Sequence, residues 1–549
     1  MEKMNKGEEK NMRRKALAKK YVSFSLASIL AGSALMLAGC GNTDVDTAGS
    51  ASDTTEAQVS ASDAEVNDDT VIKIMFNGAS VSDDTAVLEK LNPYLYEKIG
   101  VTIEPVWETW GSFSDACVSA IENKEDIDIY FTSSWTADEY HKYAENGAFI
   151  RLDAEDNNLI DSYMNELWEN LPQVLTDAAV VDGAEGPGVY AMPAYKDIAQ
   201  MYCWDVNVEK LSKLGYEPQD IEDMDYYEMG ELFAAAKERF GDDFYPLCAD
   251  GLMLERMANK TTSITGGTGT SRIMSFFLNT EDYAEVNEDY GAVIYNKYAT
   301  DEFEAFINQT WEYYEAGYID PELGDAEKAT EAFSEHQTSG DYLLATQSYA
   351  YGYETQASRD RGFEVAMVDV MGPYVDTTSA QGAMYAVSAY SDNPEKAVEL
   401  LNFLNTDKEA MTLLAYGVEG IHYNYNEDGL IEFTDERENY MPWLYGMGNI
   451  TILPETKEQG EGFWDAFKEF YGAAPSTPIL GFAYDTTDTK DEIEQITAVV
   501  DEYLTPLLTG KEAPDDLMQD FLKALDDVGM ETVIEDANTQ LSEFLEIKE

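Results

Sequence analysis

Residues 71–132, VIKIMFNGASVSDDTAVLEKLNPYLYEKIGVTIEPVWETWGSFSDACVSAIENKEDIDIYFT, decide the fold class. VIKIMF (71–76) is a short run rich in β-branched residues and reads as a strand. It is followed by a segment, 84–98, in which Val87, Leu88, Leu91 and Leu95 recur at three-and-four spacing, the mark of an amphipathic helix. VTIEPV (101–106) is a second strand, 112–122 a second helix and IDIYFT (127–132) a third strand. Strands alternating with helices predict a parallel sheet covered by helices, so the chain is α/β. Ligands of open α/β sheets sit outside the carboxyl ends of strands, which directs attention to the loops NGASVSDD, WETWGS and SSWTADEY. Those loops contain Trp107, Trp110 and Trp135, where core packing does not obviously require indoles.

Outward from that stretch, composition narrows the function. The chain has 549 residues, enough for two to four domains, and 44% are hydrophobic, so a real core forms. Its 107 Asp and Glu against 35 Lys and Arg leave a net charge of −72, which repels phosphate backbones and excludes nucleic acid as a partner. Three His, four Cys and no CxxC pair give no transition-metal or thiol chemistry to build on, and no cofactor is implied.

Eight of the basic residues crowd into positions 1–20, ahead of the uncharged run VSFSLASILAGSALMLAGC (22–40), which has the layout of a secretory signal. Leu37-Ala38-Gly39-Cys40 resembles a bacterial lipobox, implying a signal peptide over 1–39, acylation of Cys40 and attachment to the lipid bilayer at the extracellular face of the cell membrane. Residues 40–69 carry no Lys, Arg or aromatic and read as a disordered acidic tether. Of the remaining cysteines, Cys117, Cys203 and Cys248, an odd count argues against a disulfide framework; buried thiols are expected, with one bridge left open.

Further along, Asp182-Gly183, Tyr190-Ala191-Met192-Pro193 and Gly215-Tyr216-Glu217-Pro218 resemble a pattern of extracellular solute-binding proteins of ABC importers. Ser391-Asp392-Asn393-Pro394-Glu395-Lys396-Ala397, Thr406-Asp407 and Tyr416-Gly417-Val418-Glu419-Gly420-Ile421-His422-Tyr423 are similar to the LipO-type subgroup of the maltose-binding-protein-like superfamily. The resemblance implies a two-lobed periplasmic-binding-protein fold of type II with a helical C-terminal extension. It also implies a binding protein rather than an enzyme, a monomer that hands a small solute to the transmembrane subunits of a permease. The corresponding division is 70–194 and 364–416 for lobe 1, 195–363 and 417–474 for lobe 2, and 475–549 for an extension packed on the lobes. In that tail Ile493, Ile496, Val500, Tyr503 and Leu507 form one helical stripe, and Leu517, Phe521 and Leu525 another.

Aromatic residues make up 12% of the chain, and a sugar cleft needs aromatic planes for C–H faces together with carboxylates and amides for hydroxyls. The candidate ligand residues are Trp107, Trp110, Trp135, Tyr195, Asp197, Tyr349, Tyr351, Gln381, Glu419 and Trp443. A sugar or oligosaccharide is the expected solute, with peptides or cationic solutes as the alternative because an acidic, Tyr-rich cleft also attracts cations. A surface-anchored glycan hydrolase is the competing reading of another class, but carboxylate pairs carry no information in so acidic a chain, and no GxSxG elbow frames a serine. Residues 424–435 space oxygen side chains as an EF-hand loop does, with Asn and Asp in place of the usual end residues; an Asp-Gly turn between two strands accounts for the same letters.

Overall fold

The computed structural model describes residues 70–259, 261–263, 275–277, 294–325, 328–477 and 479–548. The expected signal peptide (1–39), Cys40 and the expected tether (40–69) lie outside these residues. The chain opens with β1 (Val71–Phe76), α1 (Thr85–Ile99), β2 (Thr102–Trp107), α2 (Phe113–Asn123) and β3 (Ile129–Thr132), then passes through β4 (Met192–Pro193) and β5 (Gln200–Asn207). It continues with β6 (Leu247–Cys248), β7 (Leu344–Ser348), β8 (Val365–Tyr374), β9 (Met384–Val387) and α3 (Pro394–Thr406). The hairpin β10 (Tyr423–Tyr425) and β11 (Ile431–Phe433) precedes helices α4 (Phe463–Gly472), α5 (Lys490–Leu508), α6 (Pro514–Asp527) and α7 (Met530–Lys548).

Local pattern explains the opening elements. In α1 the buried positions are Val87, Leu91 and Leu95, one stripe at four-residue spacing, and Gly100 ends the helix at φ 70°, the left-handed position a glycine takes without strain. The same logic gives α3, where Pro394 starts the helix and Ala397, Leu400, Leu401 and Leu404 are buried. In the first sheet, ordered β2-β1-β3-β9-β4, the strands read from 71–132 are parallel as expected, β1 pairing with β2 and β3, while β9 runs antiparallel to both β3 and β4.

The second sheet, ordered β6-β7-β5-β8, centres on β5, which is antiparallel to both neighbours. Each sheet has its own core. The first contains residues from Ile72 to Ala199 and from Val375 to Leu480; the second runs from Tyr202 to Tyr374 and from Ile479 to Leu541. The chain therefore passes between cores near 200, near 375 and between 471 and 479. At the crossings the strands lie side by side: Gln200 faces Tyr374, the Val375 N–H donates to Pro475 O at 2.8 Å, and the Thr477 N–H donates to Val375 O at 2.8 Å.

The two-lobed α/β architecture is thus present, but its division differs from the one the sequence suggested. Residues 365–374 form β8, hydrogen-bonded to β5 from Val365↔Asn207 to Gln200↔Tyr374, and so belong to the second sheet. Residues 417–474 pack on the first core through Tyr423, Ile431, Trp443, Trp464, Phe467 and Tyr471. The tail is no separate cap: α5, α6 and α7 bury Ile496, Val500, Phe521, Leu525 and Leu541 inside the second core, with Phe521 4–6 Å from both Tyr298 (5.0 Å between ring centroids) and Tyr503 (5.5 Å, stacked). Residues 424–435 form the hairpin, its turn held by Asn426 Oδ1, which accepts from the Asp428 and Leu430 N–H groups; among the described residues no cluster of three His, Cys, Asp or Glu could hold a metal. Cys117, Cys203 and Cys248 are all free and buried.

If the tail is core, then truncating its central ring should destabilise the whole second lobe. Phe521→Ala is expected to cost about 3–5 kcal/mol, read as a lowered urea midpoint with an unchanged m-value.

Candidate functional site

The carboxyl ends of the first sheet converge on three indoles. β1 ends in Phe76 and is followed by Asn77 and Gly78; Gly78 has φ 70°, and a Cβ there would stand 2.6 Å from the Trp110 ring, so the indole from the loop after β2 lies directly on the glycine. Trp135, from the loop after β3, is 5.7 Å from Trp110 between ring centroids. Trp443 closes the group at 4.8 Å from Trp110, edge to face, and 6.4 Å from Trp135, with Phe131 beneath at 5.8 Å. Trp110 retains 36% exposure and Trp443 only 8%, so the cluster is rooted in the core and opens at Trp110. Asn77 is 4% exposed, and neither its amide nitrogen nor its amide oxygen has a hydrogen-bond partner; the Trp443 indole N–H is likewise buried and unpaired. Buried polar groups are almost always paired, so unpaired ones beside an aromatic cluster set this place apart.

Trp135 is held by its Nε1, which donates to Gly382 O at 2.8 Å. Lys196 lies against the same glycine, and its Nζ donates to the Asp197 side chain (2.8 Å) and carbonyl (2.9 Å). Across the seam, the loop after β7 meets the aromatic face of α4. Tyr351 is 5.4 Å from Phe463 and from Phe470, Tyr349 is 6.1 Å from Phe470, and the Tyr351 N–H donates to the Tyr471 hydroxyl at 3.2 Å. The second lobe is thus in contact with the first through tyrosines and phenylalanines next to the chain crossings.

Under the Trp135 loop sits Asp138, fully buried, with Oδ2 accepting from Cys117 Sγ at 3.3 Å and Oδ1 without a partner. Burial pushes its carboxyl up to about 7, while hydrogen bonds from Thr136 and Cys117 act the other way.

Comparison with known proteins adds two observations. Residues 478–546 match a family described as a domain of unknown function, DUF3502. Over 534 residues, 96% of this chain and 99% of its relative, the sequence is 24% identical to a carbohydrate ABC transporter substrate-binding protein of Streptococcus pneumoniae. Over nearly its whole length the chain is thus similar to a substrate-binding protein of an ABC transporter. In fold it is similar to the N-glycan transport solute-binding protein NgtS of S. pneumoniae (TM-score 0.72, 22% identity, 87% of this chain and 100% of that one). The same protein in complex with Man5GlcNAc matches at a TM-score of 0.62 with 23% identity, over 87% and 99% of the two chains.

Of the ligand residues expected from the sequence, Trp110, Trp135 and Trp443 come together. Tyr195 and Asp197 lie on the first crossing, where the Tyr195 carbonyl accepts from the Ile450 N–H at 3.1 Å and Asp197 accepts from Lys196. Tyr349 and Tyr351 stand on the seam. Three others do not join the cluster. Trp107 stacks on Phe76 (4.6 Å) and gives its Nε1 to Asp84 at 2.9 Å, which makes it a packing residue. Gln381 is fully buried, donating to Ala178 O at 2.7 Å and meeting His141 Nε2 at 2.9 Å; burial depresses the His141 pKa to about 4, so it faces Gln381 as the neutral ring. Glu419 is exposed on the turn before the hairpin, beside Tyr423. Asn77 and Lys196 were missed. Asn77 stood in a loop already marked by its position after β1, but nothing in the letters reveals an amide that folding leaves unpaired.

The raised Asp138 carboxyl sets a pH dependence whose sign follows from its ordinary value of 3.8. The native state keeps the proton while the unfolded chain has lost it, so stability falls as pH rises from about 4 through 7. Relative to Asp138→Asn, the wild type should lose about 2–3 kcal/mol between pH 5 and pH 7, measured by urea unfolding at stepped pH.

Proposed function

We propose that this protein captures a sugar or oligosaccharide between its two lobes and delivers it, unaltered, to the transmembrane subunits of an ABC permease. The observation that carries the reading is the indole cluster of Trp110, Trp135 and Trp443 beside the unpaired amide of Asn77 and the unpaired N–H of Trp443. An aromatic plane suits the C–H face of a sugar ring, and an amide that donates and accepts suits its hydroxyls. The full-length similarity to a carbohydrate substrate-binding protein and the glycan-bound form of NgtS support the same ligand class.

The mechanism follows from the arrangement of the crossings. Three adjacent strands join the lobes and can serve as a hinge, and a ligand shifts the open–closed equilibrium only if it gains contacts to both lobes on closure. The Trp cluster is the first-lobe half of that contact; Tyr349 and neighbouring residues supply the second-lobe half. Capture of this kind requires no bond to be made or broken. An acylated Cys40 holds the monomer at the outer face of the membrane.

Trp110→Ala tests the reading, because this indole is the exposed member of the cluster. Affinity for oligosaccharide, measured by titration calorimetry, is expected to fall about 10- to 100-fold while the melting temperature of the free protein moves little. Labelled oligosaccharide incubated with the wild type should be recovered intact; its cleavage would replace capture with catalysis.

A further inference from the structure

Four asparagines are buried among the described residues: Asn77, Asn207, Asn259 and Asn405. Three of them are paired at both ends of the amide. Asn207 donates to Gly340 O and accepts from the Lys210 N–H, Asn259 donates to Glu255 and accepts from the Tyr227 hydroxyl, and Asn405 donates to Leu401 O and accepts from the Asn449 N–H. Asn77 is the exception. It is 4% exposed, its Nδ2 and Oδ1 are both shut off from solvent, and neither has a partner.

The backbone gives this amide no freedom to find one. The Glu108 N–H donates to Phe76 O at 3.1 Å and the Ala79 N–H donates to Glu108 O at 2.9 Å, so Asn77 and Gly78 form a short link clamped at both ends. Gly78 has the Trp110 ring against it, and Trp110 is the exposed, loop-borne member of the indole cluster. A solute stacking there arrives one residue from Asn77, and a shift of this indole opens the way to the amide. Left unpaired, a buried amide costs folding free energy that only a partner recovers.

The chemistry of that partner follows from what the amide presents, which is two N–H donors and one carbonyl acceptor without charge. A hydroxyl pair or an acetamido group donates and accepts at once and satisfies both ends. An ammonium group only donates, so the Nδ2 hydrogens stay unpaired, and the ion leaves water for a neutral amide, which is strongly unfavourable.

We infer that Asn77 sets the specificity of the site, admitting an uncharged sugar substituent that both donates and accepts, a hydroxyl pair or an acetamido group, and turning away an ammonium-bearing one. The inference rests on the reading of the indole cluster as the sugar site and sharpens it, deciding between the neutral and the cationic solutes that an acidic, Tyr-rich cleft leaves open.

The full chain is titrated by calorimetry at about pH 5.5, where sugar amines are protonated, and at about 0.15 M salt, which screens the net charge of the protein. Three β-1,4-linked tetramers serve as probes: cellotetraose, its 2-acetamido counterpart and its 2-amino counterpart. The amino tetramer is expected to bind at least about tenfold more weakly than the better of the neutral two, and the order of those two separates a hydroxyl pair from an acetamido group. Asn77→Leu should weaken neutral binding about 10- to 100-fold yet melt no lower than the wild type, because it removes polar atoms that have no partner in the free protein. Asn77→Asp, with acceptors and no N–H, should shift the preference towards the amino tetramer. Equal binding of all three tetramers, an unaltered order of affinities in Asn77→Asp, or a lowered melting temperature in Asn77→Leu would overturn the inference and leave the glycan reading standing. Binding of none of the tetramers would overturn both.

Discussion

Neither hydrophobic core of this protein is built from one continuous piece of chain, and the site depends on that. The backbone leaves the first core near Gln200, returns at Val375 and leaves again before Ile479, and the three passages are bonded to one another through Val375 and its partners at Pro475 and Thr477. Two separately buried cores joined by a few parallel and antiparallel backbone bonds can rotate about the join at small cost, because closing or opening the seam leaves each core's apolar area buried.

Within the first lobe, a glycine sets the position of the exposed indole. Any side chain at Gly78 would collide with Trp110, and the φ of 70° at that residue is one that glycine takes readily. Trp443 and Trp135 then brace Trp110 from two sides, and Gly382 accepts the Trp135 N–H. The indoles are held in place because their ring neighbours are core residues such as Phe131.

The acidity of the chain has different meanings in different places. Most carboxylates are solvated and contribute net charge alone. In the second core, Asp205 and Glu255 are matched by Arg361 and Lys297 and act as parts of the fold.

Much of this was legible in the letters. β-branched runs and period-3.6 stripes over 71–132 specify the first three strands and two helices, and strand ends mark the loops that contain the indoles at 110 and 135. The apolar stripes of the tail likewise declare burial, but a stripe does not say against which core it packs. That choice, like the pairing of β8 with β5 across more than 150 residues, depends on long-range contacts that leave no local periodicity. Gln381 and Asn77 make the point for the site: both are amides next to strands of the first sheet, Asn77 just after β1 and Gln381 shortly before β9, and the first is bonded to Ala178 and His141 while the second has no partner. Local sequence determines which elements form and which faces are apolar, because those follow from short-range sterics and water. Only the tertiary structure decides which buried polar groups are left unpaired, because their partners are brought, or not brought, from distant parts of the chain.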